Sequence, residues 1–174
     1  MHHSDFIAIL AKIYKPKVYV ELGLYQGETL QKIQPFVEKG YGVDINKNVF
    51  LENLKHHSNL EIIYTKTEYF FENFDKKIDM AFIDADHCYE STLTDFENVY
   101  KILNTGGVII LHDTDPEDDK LIHPGYCGDS YKMVTYLENH PDLNCTTFPL
   151  TEAGLTLVTK KNDTRTIRRS NILS

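Results

Sequence analysis

The stretch FIDADHCYE, Phe82 to Glu90, opens as an apolar strand and closes on Asp84, Asp86 and His87. A second stretch, LHDTDPEDD, places His112, Asp113 and Asp115 directly after the apolar run VIIL. Carboxylate oxygens such as those of Asp84 and Asp113 are hard donors that suit a divalent ion like magnesium. An imidazole such as that of His87 titrates near ~6.5 and suits general-base work. A single cluster of this kind reads equally well as polar loop residues and helix caps. Two clusters, each following a buried strand, favour a shared functional pocket.

Two other strand ends carry candidate ligand contacts. VELGLYQGET, Val20 to Thr29, has the pattern E-x-G-x-x-x-G, in which Gly23 and Gly27 allow a tight turn and a close approach to a ligand. It lacks the third glycine of the G-x-G-x-x-G dinucleotide turn, which argues against a pyrophosphate. A plain glycine-bearing turn is the alternative. Asp44, at the tip of YGVDIN, lies 21 residues past Gly23. That is near the ~20-residue offset at which an acid accepts ribose hydroxyls in related sheets. Capping of the next helix by Asp44 is the competing account. Thr67 and Glu68 in YTKTEYF can meet a base edge, or Thr67 can cap a helix.

The elements that must position these residues alternate short β-branched runs with amphipathic ones. Strands are expected at Lys17–Leu22, Tyr41–Ile45, Leu60–Tyr64, Ile78–Ile83 and Val108–Leu111. Helices are expected at Asp5–Tyr14, Gly27–Val37, Lys47–His57, Glu68–Asn73, Glu90–Leu103 and Asp129–Asn139. Asn104-Thr-Gly-Gly107 should stop the fifth of these helices. Leu143–Phe148 and Leu155–Thr159 read as a hairpin through Pro149–Gly154. This order describes βαβ units, so a mostly parallel sheet with helices on both faces and one antiparallel strand from the hairpin. Ligands of such sheets bind outside the carboxyl ends of the strands. The segment from His112 to Gly128 has little periodicity and should overhang that edge.

The totals narrow the partners. The chain has 174 residues, which suits one domain, and a net charge of -8, which opposes nucleic acid and anionic membrane surfaces. No apolar run approaches the ~20 residues of a membrane span. Met1 to Tyr14 lacks a basic n-region and a small-residue cleavage site, so no signal peptide is expected. Three cysteines, Cys88, Cys127 and Cys145, fit neither a disulfide framework nor a zinc site, and reduced thiols in cytoplasm are expected.

VELGLYQGET, GVDIN, IDMAFIDADHCYESTLTDFENVYKILNTGGVIILHDT and TTFPLTEAGLTLVTK together resemble class I S-adenosylmethionine-dependent methyltransferases, over about residues 17 to 160. The nearest branch holds small-molecule O-methyltransferases of the catechol, caffeoyl-CoA and macrolide-sugar types, with cephalosporin-hydroxylase-like proteins. The resemblance implies an α/β, Rossmann-like, doubly wound seven-stranded sheet, mostly parallel, with a C-terminal antiparallel hairpin strand. It implies a cofactor-binding domain over 17–160; a short helical segment is expected before it over 1–16, and the basic tail over 161–174, which holds Arg165, Arg168 and Arg169 and little apolar content, is expected to be flexible.

The resemblance also implies roles. Glu21, Gly23 and Gly27 would cradle the methionine part of S-adenosylmethionine, Asp44 would meet the ribose, and Thr67 and Glu68 would lie near the adenine, with Tyr25, Ile45 and Asp84 also among the cofactor contacts. Asp84 and Asp113 match metal-ligand aspartates, with Mg2+ the expected ion. Thr114 stands where catechol-type enzymes have asparagine. His112 stands where macrolide-sugar enzymes have glutamate, and so becomes the third candidate ligand. His87 matches the general base of the sugar enzymes, with Asp84 beside it in catalysis. The expected reaction is O-methylation of a small sugar or phenol-like acceptor. Related enzymes cover that acceptor with helices before the first strand. Here the covering falls to the 113–128 loop, to another subunit as in a homodimer, or to nothing. Two other readings stand beside this one. One is a cephalosporin-hydroxylase-like protein that binds the cofactor without methyl transfer. The other is an NAD-dependent oxidoreductase, which the missing glycine opposes.

Overall fold

The computed structural model describes residues 1–47, 57–150 and 153–161. In chain order the elements are α1 (His3–Tyr14), β1 (Val18–Leu22), α2 (Glu28–Ile33), β2 (Lys39–Asp44), β3 (Leu60–Tyr64), α3 (Thr67–Asn73), β4 (Ile78–Ile83), α4 (Tyr89–Ile102), β5 (Leu103–His112), α5 (Met133–Asn139), β6 (Leu143–Phe148) and β7 (Leu155–Lys160). The seven strands form one sheet in the order β3-β2-β1-β4-β5-β7-β6. Pairings among β1 to β5 are parallel, and β7 runs antiparallel to both β5 and β6. This is the expected Rossmann-like sheet. Strand order reverses between β1 and β4, the switch point at which a ligand crevice opens.

Period-two alternation sorts the strand residues onto two faces. Val20, Leu22, Ala81, Ile83, Ile109 and Leu111 pack with Phe96 and Val99 of α4 and Met133 and Leu137 of α5. Tyr19, Met80, Phe82 and Ile110 pack with Ile7 and Ala11 of α1 and Leu30 and Ile33 of α2. Continuing the second set by two residues reaches Glu21, Asp84 and His112. The alternation therefore aims these three polar side chains at the face covered by α1.

Several boundaries differ from the sequence reading. The helix expected over Gly27–Val37 spans only Glu28–Ile33 and then tightens into a 3-10 turn at Gln34–Phe36, where Pro35 cannot donate to the helix ladder. The helix expected from Asp129 begins with a 3-10 turn at Ser130–Lys132. Asn104–Gly107 lies within β5, as an irregularity between the pairs Ile78–Leu103 and Met80–Val108. Gly106, at φ 77°, permits that excursion, and its carbonyl accepts the Tyr14 hydroxyl at 2.5 Å. Most of the helix expected at Lys47–His57, part of the hairpin turn, and the basic tail beyond Lys161 lie outside the described residues. Among the described residues no helix is long and apolar enough to cross a membrane.

Candidate active site

β1 ends in the glycine turn. Gly23 adopts φ 86°, Tyr25 φ 46° and Gly27 φ 69°. The Gly23 N–H donates to Val43 O at 2.9 Å, and Asp84 N–H donates to Leu22 O at 2.8 Å. The tips of β2, β1 and β4 are thus tied together around this turn. Asp44 at the end of β2 holds it from the other side: Oδ2 accepts the Leu24 N–H at 2.8 Å and Oδ1 accepts the Asn46 N–H at 2.7 Å. These bonds are compatible with the ribose account, since each carboxylate oxygen keeps a second lone pair, while most of the helix that Asp44 would cap lies outside the described residues.

Two cavities meet at Gly23. The first, about 320 Å³, is lined by Gly23, Asp44, Ile45, Thr67, Glu68 and Asp95, among others. The second, about 360 Å³, is lined by Gly23, Tyr25, His3, Asp84, His87 and His112, among others. Glu21 reaches the second cavity but is buried, and its Oε2 accepts the Tyr19 hydroxyl at 2.7 Å. Burial pushes its carboxyl up to about 8, against the pull of the Tyr19 hydrogen bond.

The two clusters at the ends of β4 and β5 converge. His112 Nδ1 stands 3.1 Å from Asp84 Oδ1 and 3.2 Å from Asp113 Oδ1. His87 Nδ1 stands 3.2 Å from Asp113 Oδ2. Burial acts to lower the pKa of His112, but the adjacent Asp84 and Asp113 carboxylates outweigh it and hold the group above its ordinary value. Asp113 is buried in a left-handed conformation at φ 59°. Burial raises its carboxyl, against the His112 charge. Asp86 is turned away and accepts the Ser91 hydroxyl at 2.8 Å on the wall of the first cavity. Asp115 is exposed, and its N–H is spent on Ala153 O at 2.9 Å.

Asp84, His87 and Asp113 offer ligand atoms all within 4.8 Å of one another. Magnesium prefers an octahedron of oxygens and is poorly served by imidazole. With His112 Nδ1 against both carboxylates, the donor set departs from the all-oxygen set expected for Mg2+.

Two residues of the site, Asp95 and His3, escaped the sequence reading. Asp95 is buried in the first cavity, hydrogen-bonded to Thr67, and burial raises its carboxyl to about 6. Its signal was a charged residue on the apolar face of α4, where Thr92, Asp95, Phe96 and Val99 are the buried set. Thr67 is the first residue of α3 and turns to Asp95, while Lys66 holds the cap position. His3 reaches the second cavity from α1, its ring 4.4 Å from that of His112. Burial lowers its pKa to about 4. The short amino-terminal helix thus supplies part of the wall of the second cavity, where the sequence alone points only to a loop, another subunit or nothing as cover. The 113–128 loop also docks there: Gly128, at φ 54°, leaves no room for a Cβ against the His87 carbonyl, and Asp129 N–H donates to that carbonyl at 2.9 Å.

Residues 20–114 match a family model described as a methyltransferase domain. Uncharacterized protein R132 of Acanthamoeba polyphaga mimivirus is 33% identical in an alignment of 130 positions that covers 64% of this chain and 58% of the viral protein. The match thus spans less than two thirds of that relative. The O-methyltransferase from Bacillus cereus in complex with SAH aligns with TM-score 0.73 at 15% identity, over 91% of this chain and 80% of that one. The O-methyltransferase from Streptomyces achromogenes involved in tomaymycin synthesis, in complex with SAM, aligns with TM-score 0.72 at 15% identity, over 91% and 79%. At such identities the likeness speaks for the fold.

Proposed function

The chain belongs to the methyltransferase-domain family, and from that premise we propose that it transfers a methyl group from S-adenosylmethionine to a hydroxyl of a small sugar or phenol-like acceptor. The observation that carries this reading is the junction at Gly23, where a cleft bounded by Asp44, Thr67 and Glu68 opens into one bounded by Asp84, His87 and His112. A donor laid along the first cleft would present its reactive end at the second.

In this reading Thr67, Glu68 and Asp95 flank the adenine, and Asp44 and Ile45 the ribose. Glu21, Gly23, Tyr25 and Gly27 surround the methionine part. The bound donor supplies an electrophilic methyl on a sulfonium, and the chain supplies position, exclusion of water and a proton acceptor. His87 faces Asp113 Oδ2 through Nδ1, which leaves Nε2 to take the acceptor's hydroxyl proton as the oxygen attacks the methyl. The Asp113 carboxylate, 3.2 Å from that Nδ1, stabilises the imidazolium that results. Cys88, Cys127 and Cys145 are free thiols, which supports a reducing, cytoplasmic setting.

Incubation with S-adenosylmethionine labelled on the methyl group, across a panel of sugars and phenols, tests the proposal. Label should appear as a methyl ether and should vanish in His87→Ala. Label on a nitrogen or carbon acceptor would contradict it.

A further inference from the structure

The proposed reaction gives the first turn of α1 no task, yet a network of bonds holds that turn in place. Ser4 is fully buried. Its hydroxyl donates to Glu28 Oε1 at 3.0 Å and accepts from the Lys32 ammonium at 2.9 Å. Lys32 also pairs with Glu28 at 2.8 Å and with Asp5. Glu28 opens α2 directly after Gly27, so this clamp ties the start of α1 to the glycine turn. Next to the clamped Ser4 stands His3, half-buried on the wall of the second cavity. Its ring lies 4.4 Å from that of His112 and 5.9 Å from that of Phe82. Both neighbours belong to β4 and β5, whose ends carry Asp84, His87 and Asp113. His3 lines the second cavity and not the one proposed for the nucleoside.

Packing against His112 and Phe82 needs only a flat ring. An imidazole adds two nitrogens that can donate or accept. Among the described residues neither nitrogen of His3 makes a hydrogen bond. The other imidazoles of this wall are engaged, His112 Nδ1 with Asp84 and His87 Nδ1 with Asp113. A ring held by its own helix, with both polar atoms unused beside a cavity, has the preorganisation of a recognition group. We propose that His3 is a specificity-determining residue that hydrogen-bonds a second oxygen of the acceptor while His87 takes the proton from the first. The acceptor is then a molecule with at least two oxygens in reach of one another. This role rests on the methyl-transfer reading above.

The test uses the full chain, S-adenosylmethionine labelled on the methyl group, and catechol, caffeate, methyl glucoside and methyl rhamnoside as acceptors. His3→Phe keeps a ring against His112 and Phe82 and removes both nitrogens. It should raise the acceptor KM by about tenfold and leave the Kd for S-adenosylhomocysteine within about twofold. His3→Gln keeps an amide donor and acceptor and should show a smaller rise. Circular dichroism confirms that each variant is folded. An unchanged KM in folded His3→Phe would make the ring a packing element and overturn the proposal. An equal rise in His3→Gln would overturn it too, as would a Kd for S-adenosylhomocysteine that rises in step with KM. These outcomes leave the methyl-transfer reading standing. Failure of the unaltered chain to methylate any of the four acceptors would sink that reading, and the role of His3 with it.

Discussion

Gly23 and Asp84 meet backbone to backbone. A Cβ built on Gly23 would lie 2.1 Å from the Asp84 carbonyl oxygen. The contact locks the tip of β1 to the tip of β4 where the two cavities join, and it requires φ 86° at residue 23. Gly23→Ala should therefore cost at least about 2 kcal/mol, from the left-handed backbone and the clash combined. Urea unfolding followed by circular dichroism reads this directly. An unchanged midpoint would mean that the two strand tips are not in contact.

Asp44 holds the far side of the same turn through the N–H groups of Leu24 and Asn46. Asp44→Ala should raise the Kd for S-adenosylhomocysteine by roughly tenfold or more, a loss of about 1.4 kcal/mol. Asp44→Asn should fall between, because its amide oxygen still accepts one of these N–H groups. Calorimetric titration of the three proteins measures the series. Equal affinities would remove Asp44 from the cofactor site.

Glu21 gives a pH signature. Burial raises its carboxyl to about 8 from an ordinary value of 4.5. The folded state thus keeps a proton that the unfolded chain releases at lower pH. Stability from this group is complete below about 4.5 and is lost as pH rises through the interval to about 8. Glu21→Gln, which cannot release that proton, should show a flatter decline in unfolding free energy between pH 5 and about 8. Denaturant midpoints at several pH values compare the two slopes. Parallel slopes would mean that Glu21 is ionised in the fold.

His87→Ala should abolish turnover and leave the Kd for S-adenosylmethionine within about twofold, because the ring lines the second cavity and not the one proposed for the nucleoside. Single-turnover assays with labelled donor, alongside calorimetry, separate the two effects. Full activity in the variant would assign the proton to another group.

Much of this was legible from the chain because strand ends advertise themselves. The run IDMAFI followed by DADH, and VIIL followed by HD, told which residues leave a buried strand together. Parallel pairing of β4 with β5 then made Asp84 and His112 neighbours. Asp95 was not legible because helix α4 looks amphipathic whether or not one buried position is an acid. His3 was hidden for a different reason. It lies in the first turn of α1, and only packing of Ile7 and Ala11 against Tyr19 and Phe82 swings that turn over the cavity. Helix α4 does stop before Asn104, ending at Ile102, but β5 starts earlier than the expected Val108 because Asn104–Gly107 sit in an irregular stretch of that strand.

The most direct test of the central claim is a crystal structure of the chain with S-adenosylhomocysteine. The account predicts the adenosine in the cleft between Asp44, Thr67 and Asp95, with the sulfur end beyond Gly23 facing Asp84 and His87. A nucleoside bound elsewhere, or an empty cleft at saturating ligand, would contradict it.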